Sequence, residues 1–381
     1  MPNLSGAKTW VEINSDALRK NVEHLSAIMQ SGTNFCTVVK ANAYGHDIDT
    51  MVRLLLTEGI NLFAVDSIDE AIRVRQRAPE ADIFILGYTV PERLEDVIEH
   101  SFIQTIYDLT MIDCFLEIAL KKRVQARVNL KIETGTNRQG VLVHQLPDLL
   151  RQLAREQRFI RLEGVSSHFA DAENADDHTL SNAQHARFME AITVVEQYGL
   201  EPRFIHMACS AAALQAPETH HSMIRFGIAL YGLWSSESLR VHVRRSKSVE
   251  LTPVLSWKTT IAQIKDVPVG DYIGYARGFR TDKPRRIAVL PVGYFDGYRR
   301  CYKDSSVILH GQQCPIIGII CMNMMMVDVS MIPQARVGDT VTLLGRDGMH
   351  QVTAEDLAKI ANTINYEIVT AINPLLPRIV V

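Results

Sequence analysis

Lys40 closes the string FCTVVK, directly behind a run of apolar and β-branched residues in a chain of 381. An ammonium in that setting must be desolvated or paired, and Schiff-base chemistry uses the uncharged amine that such settings favour. The plain alternative is a lysine whose stem lies on apolar surface while its charge reaches water. Other polar residues stand in the same relation to later apolar runs. They are Arg138 after ARVNLKI, His168 after RLEGVSS, Ser210 after RFIHM, and then Arg225 with the Gly227-Ile228 turn. Function in a parallel barrel gathers where its strands end, so these are the candidate site residues.

The elements that would position them alternate. FCTVV (35 to 39), NLFAV (61 to 65), DIFIL (82 to 86), IQTIY (103 to 107), ARVNLKI (126 to 132), RLEGVSS (161 to 167) and RFIHM (203 to 207) read as strands. Between them lie helices. One carries Leu18, Val22, Leu25 and Met29 at helical spacing, one opens on a Ser67 to Glu70 capping box, and one runs from about Asp177 to Gly199. Seven or eight such units over roughly 220 residues fit a (β/α)8 barrel better than an open doubly wound sheet, which usually closes a nucleotide site with a Gly-rich turn. Beyond about residue 245 short strands and turn signals take over, and Thr353 with Asp356 opens a late helix. The expected fold is α/β: an N-terminal (β/α)8 TIM-like barrel over 12–240 and a C-terminal mainly-β domain over 241–381, with residues 1–11 pairing with the second.

The string TVVKANAYGH around Lys40 resembles the pyridoxal-phosphate attachment site of alanine racemases. The resemblance continues in order through KIETGTNRQG (131 to 140), SSHFA (166 to 170), HMACSAA (206 to 212), IRFGIALYG (224 to 232), IGYARGF (273 to 279), PVGYFDGY (291 to 298), CMN (321 to 323) and TINYE (363 to 367). One such piece can arise by chance; nine in order do not. The resemblance implies a fold-type III enzyme that binds pyridoxal 5'-phosphate and works as a head-to-tail homodimer whose active sites are shared across the interface.

It also implies a role for each residue. Lys40 would hold the cofactor and act as one base, and Tyr275, reaching the other subunit's site, as the second. Tyr44, Ser210, the backbone of Gly227 and Ile228, and Tyr366 would hold the phosphate; hydroxyls and free N–H groups suit that anion. Arg225 would face the pyridine nitrogen without protonating it, because a guanidinium keeps its protons, and His168 would sit nearby with it. Arg138 would orient the substrate, with Lys131 a possible carbamylation site beside it. Tyr294 would line the entrance, and Met322 and Asn323 would meet the substrate carboxylate region.

Three positions depart from the commonest pattern: Thr136 for methionine, Ala276 for glycine and Asn323 for aspartate. The last removes a negative charge and adds a donor, which changes which side chains fit. Interconversion of L- and D-alanine, supplying D-alanine for the cell wall, is therefore the leading reading, and a serine or broad-specificity racemase the alternative. A non-catalytic pyridoxal-phosphate carrier would lack the second domain. A decarboxylase of the same fold type would carry other polar groups in it.

Composition excludes other classes. With 40 Lys plus Arg against 43 Asp plus Glu, the net charge of −3 gives no reason to expect a nucleic-acid partner. Arg240 to Lys247 is basic but lacks stacking aromatics and reads as a solvated connection. The most apolar run, Pro315 to Val327, falls short of the ~18 residues a membrane span needs and reads as one buried strand, with Met324 to Met326 in the core. No secretion signal is evident, so a cytoplasmic protein is expected. The six cysteines (Cys36, Cys114, Cys209, Cys301, Cys314, Cys321) form no CxxC pair and predict free thiols, with no metal site.

Overall fold

The computed structural model describes residues 6–246 and 249–381. Eight parallel strands form the barrel wall of a nine-stranded sheet: Asn34–Val38, Leu62–Val65, Asp82–Ile85, Ile103–Ile106, Ala126–Glu133, Ile160–Ser166, Phe204–His206 and Met223–Phe226, with the short strand Val141–Leu142 paired beside Ala126–Glu133. The last of the eight pairs with the first, Arg225 opposite Cys36. A single parallel bridge, Cys209 to Arg225, joins the remaining edges, so the sheet is a nearly closed (β/α)8 barrel. Its strands are buried almost throughout, because a parallel barrel covers both faces of its sheet. Seven of these strands coincide with apolar runs legible in the sequence. The eighth, Met223–Phe226, is as buried as the others although it contains Arg225.

Helices cover the barrel strands. Ser15–Ala27 carries Leu18, Val22 and Leu25 on its buried face and ends before Met29, and Thr179–Gln197 lies inside the span expected for it. Ser67 caps Ile68–Arg77 by accepting the Glu70 N–H. The Glu70 carboxylate does not complete the box, however: its oxygens accept the N–H groups of Asp66 and Asn42. The basic stretch is a correction of another kind. It lies mostly in the helix Glu237–Ser246, with Leu239 and Val243 buried and Arg240 and Arg244 paired to Glu237 and Glu250, rather than in a connection. Lys247 lies outside the described residues.

The chain divides into two units. One comprises Arg19–Ala43 and Met51–Thr252 and contains the barrel; the other comprises the chain up to Leu18, Tyr44–Thr50 and Pro253–Val381. A mainly antiparallel ten-stranded sheet dominates the second. In it Thr9–Ile13 pairs antiparallel with Leu255–Thr260 and parallel with Arg378–Val380. Met1 to Ser5, part of the segment expected to pair there, lie outside the described residues. The Pro315 to Val327 run is not one strand. Gln312–Ile317 turns at Gly318, whose φ is +74°, and returns as Met325–Asp328, with Ile317 opposite Met326. Met325 and Met326 are buried, whereas Met324 is exposed, because it lies in the connection between the two strands. Thr353 and Asp356 form the late capping box. No described helix is long and apolar enough to cross a membrane. All six cysteines are free, and no group of metal-ligating side chains occurs among the described residues.

Candidate active site

Lys40 begins a backbone feature the sequence conceals. Ala41, Asn42, Ala43 and Tyr44 have φ between 52° and 55°, a full left-handed turn built without glycine. Each such residue costs about 1–2 kcal/mol, so the turn persists only because its surroundings impose it. At its far end Gly45, also at positive φ, passes so close to the helix Asn365–Thr370 that a Cβ would lie 2.1 Å from the Val369 carbonyl oxygen. Only glycine fits there. In the same unit the rings of Tyr44 and Tyr366 lie 6.1 Å apart.

Because the barrel strands are parallel, Lys40, Arg138, His168, Ser210 and the Gly227-Ile228 turn all fall at their C-terminal ends. Arg225 is the hub. One of its terminal nitrogens donates to Nδ1 and the carbonyl of His206, and the other donates to the carbonyls of Ser167 and Met207 and, at 3.2 Å, to Nδ1 of His168. Every partner is neutral. The Nε–H is the one donor of this guanidinium without a protein acceptor among the described residues. Since His206 accepts on Nδ1, its proton sits on Nε2 and goes to Asn129 Oδ1 at 2.9 Å. Asn129 in turn donates to Thr105 and Ser166. Burial first, and then the Arg225 charge, hold both His168 and His206 well below the usual histidine range.

Three further basic residues, Lys40, Lys131 and Arg138, gather around this hub. Burial and the charges of Arg225 and Arg138 hold the Lys131 ammonium well below the usual lysine range, with Lys40 adding to the effect. No hydrogen bond or ion pair engages the side chains of Lys40, Lys131 or Arg138 among the described residues. The nearby carboxylate, Glu133, is committed elsewhere. It accepts the N–H groups of Gly135 and Arg138, shaping the turn that carries Arg138; burial raises its pKa, and these backbone bonds outweigh that and hold it low. Such a cluster is complementary to an anionic ligand.

Ser210 meets the Gly227 turn directly. Its Oγ accepts the N–H groups of Gly227 at 3.0 Å and Ala229 at 3.4 Å, so the hydroxyl proton points away from them. The Ile228 N–H has no acceptor among the described residues. An outward hydroxyl beside an open N–H is a fit for a phosphate oxygen.

Two supporting residues escaped the sequence reading. Gln184, fully buried on the helix Thr179–Gln197, donates to the His168 carbonyl and to Thr134 Oγ1 and accepts the Ala170 N–H. It ties the loop behind one strand to the loop behind the next. Thr136 also donates to the His168 carbonyl, at 2.8 Å. Asn129 is the other. A polar residue on an otherwise apolar helix face or strand interior is the signal that could have found both.

In the second unit Tyr275 opens a short 3₁₀ turn, is 70% exposed, and is followed by Ala276 and Arg277 at positive φ. Tyr294 and Met322 are brought together at Gly293, where a Cβ would strike the Cys321 carbonyl; Tyr294 donates to Cys321 and Phe295 to Met322. Asn323 is exposed beside them. The barrel-end residues thus share one site in the first unit, while Tyr44, Tyr275, Tyr294, Met322, Asn323 and Tyr366 belong to the other.

Comparison with known proteins places this arrangement. The alanine racemase N-terminal domain family matches residues 13–235 and the alanine racemase C-terminal domain family residues 254–380. The alanine racemase of Leptospira interrogans is 36% identical over 98% of this chain and 96% of its own length, and that of Methanococcus maripaludis is 35% identical over 97% and 98%. The solved structure of the Bacillus anthracis alanine racemase with bound L-Ala-P superposes with a TM-score of 0.91 at 32% identity, covering 98% of this chain and 95% of that one. A barrel and β-sheet pair of this kind, with relatives so named, defines an amino-acid racemase. Matches of this extent leave no other assignment: the chain belongs to the alanine racemase family.

Proposed function

We propose that the chain interconverts L- and D-alanine with pyridoxal 5'-phosphate, using Lys40 and Tyr275 as bases on opposite faces of the substrate α-carbon. The observation that carries this reading is the Arg225 hub. Its charge is held by neutral imidazoles and carbonyls, with one N–H left over. A guanidinium in that setting keeps its protons and cannot act as an acid toward a ring nitrogen. This favours simple removal and return of a proton over other chemistry at the same carbon.

The donor set suits the cofactor. Ser210 Oγ, the Ile228 N–H and the Gly227 turn would hold the phosphate with the hydroxyls of Tyr44 and Tyr366, and the surrounding cations would balance its charge. When bound, pyridoxal phosphate supplies the electron sink that acidifies the substrate Cα–H. Lys40 would hold it covalently and, once released as an amine, move the proton at one face. Tyr275 would move the proton at the other face with His168 and Arg225 nearby. Arg138 orients the substrate, Tyr294 lines the entrance, and Met322 and Asn323 meet the carboxylate. The depressed Lys131 amine is suited to carbamylation, which would place a negative charge against Arg138.

The exposure of Tyr275, with Tyr294 at 42% and Met322 at 55%, supports a homodimer in which each copy completes the other's site. Residues 12–240 would form the cofactor-binding domain and 241–381 the β domain. A cytoplasmic enzyme supplying D-alanine for the cell wall fits this role. The amide of Asn323 favours a second reading, a racemase of serine or of broader range. Incubation of L-alanine with the protein and pyridoxal phosphate, followed by chiral separation, tests the proposal. Approach to an equal mixture supports it, and unchanged L-alanine or released carbon dioxide refutes it.

A further inference from the structure

We propose that Glu70 is a positioning residue that holds the left-handed turn behind Lys40 and so aims the lysine. This rests on the reading of Lys40 as the cofactor-holding residue. Within the turn, Ala43 donates its N–H back to the Val39 carbonyl, and the Asn42 N–H goes to Glu70 Oε1 at 3.1 Å. The other carboxylate oxygen takes the Asp66 N–H, at 3.1 Å, and the Glu70 N–H is itself held by Ser67 Oγ. Next along the same helix, Arg73 donates to the Asn42 side-chain oxygen at 3.3 Å. Two residues one turn apart on the helix Ile68–Arg77 therefore grip the middle of the turn by both its backbone and its side chain.

The sequence makes this grip necessary. KANAY contains Lys40, Ala41 and Ala43, which form right-handed helix readily, and no glycine relieves the positive φ values. A right-handed turn would send Lys40 and Tyr44 in other directions from the same strand end. Glu70 also offers a separation of roles, because Ser67 caps the helix and, among the described residues, makes no side-chain hydrogen bond to the turn.

Apo protein is titrated with pyridoxal phosphate, reading the absorbance of the lysine-bound form, and is trapped with borohydride for peptide mapping. Glu70→Ala is expected to weaken binding at least about tenfold and to reduce the yield of label on Lys40. Ser67→Ala is expected to lower Tm while leaving binding within about twofold of wild type. Glu70→Gln keeps one acceptor but puts an N–H where the other stood, and is expected to bind between the two. Removing a negative charge lowers the repulsion of an anionic cofactor and would not by itself weaken binding, so weakening in Glu70→Gln reports geometry. Binding by Glu70→Ala equal to that of Ser67→Ala overturns the proposal; should Glu70→Ala not fold, unchanged binding by Glu70→Gln overturns it. Wild-type label on a lysine other than Lys40 would instead sink the underlying reading.

Discussion

Arg225 donates to Nδ1 of His168 at 3.2 Å, which puts the imidazole proton on Nε2 and makes that nitrogen a donor. The same guanidinium imposes the same tautomer on His206. Two neutral histidines beside one permanent cation make a hub whose own charge does not change near neutral pH.

Arg225→Glu replaces that fixed cation with an acid able to share a proton. Racemisation is expected to fall by about two orders of magnitude, and the share of alanine converted to its keto acid to rise. Assays of D-alanine and keto acid on the same sample check both. A loss of racemisation with no keto acid would detach Arg225 from control of the reaction path.

Gln184→Leu removes the acceptor of the Ala170 N–H and one of the two side-chain donors to the His168 carbonyl, which keeps its bond from Thr136. The expected loss of stability is about 1 kcal/mol, that of a hydrogen bond between partly buried groups, and turnover should fall with it. Denaturant melts and kcat would show this. Wild-type kcat in a destabilised Gln184→Leu protein would limit the residue to folding.

Acid should destabilise the fold through its histidines. Burial and neighbouring positive charge depress His168 and His206, and burial with His185 and His220 pushes His221 down to about 4. All three are neutral when folded, so below about pH 6.5 the unfolded chain binds more protons and stability drops as pH falls. For His221 the loss continues to about pH 4. His221 also pairs with His185, Nε2 to Nε2 at 3.1 Å, and has a φ of 44° that asparagine tolerates. His221→Asn should therefore show a smaller fall in Tm between about pH 7 and about pH 5 than wild type. An equal fall would remove His221 from the acid response.

Asn323→Asp restores a carboxylate at an exposed position beside Met322. The substrate range is expected to narrow toward alanine, with serine losing about tenfold in kcat/KM relative to it. Parallel kinetics on both substrates measure this, and an unchanged ratio would clear Asn323 of any part in selection.

Much of the barrel is legible because seven of its strands are short apolar runs behind helical periodicity. Met223–Phe226 is not, since a buried arginine breaks the apolar signal and its partners lie on two other segments. The left-handed turn is hidden for a related reason. Local propensity in KANAY points to right-handed helix, and the Glu70 and Gly45 contacts that override it are long-range. Pro315 to Val327 misleads in the opposite sense, since an apolar run carries no mark of where Gly318 reverses it. The roles attached to single residues came from the resemblance, because spacing alone names no substrate.

The two-base claim is tested most directly by Tyr275→Phe in deuterated buffer with pyridoxal phosphate, following α-proton exchange separately from L- and D-alanine. The hydroxyl is lost from one face only, so exchange from one enantiomer should slow by about 10²–10⁴-fold while the other, served by Lys40, keeps most of its rate. Equal slowing of both, or no slowing of either, would contradict a base on each face.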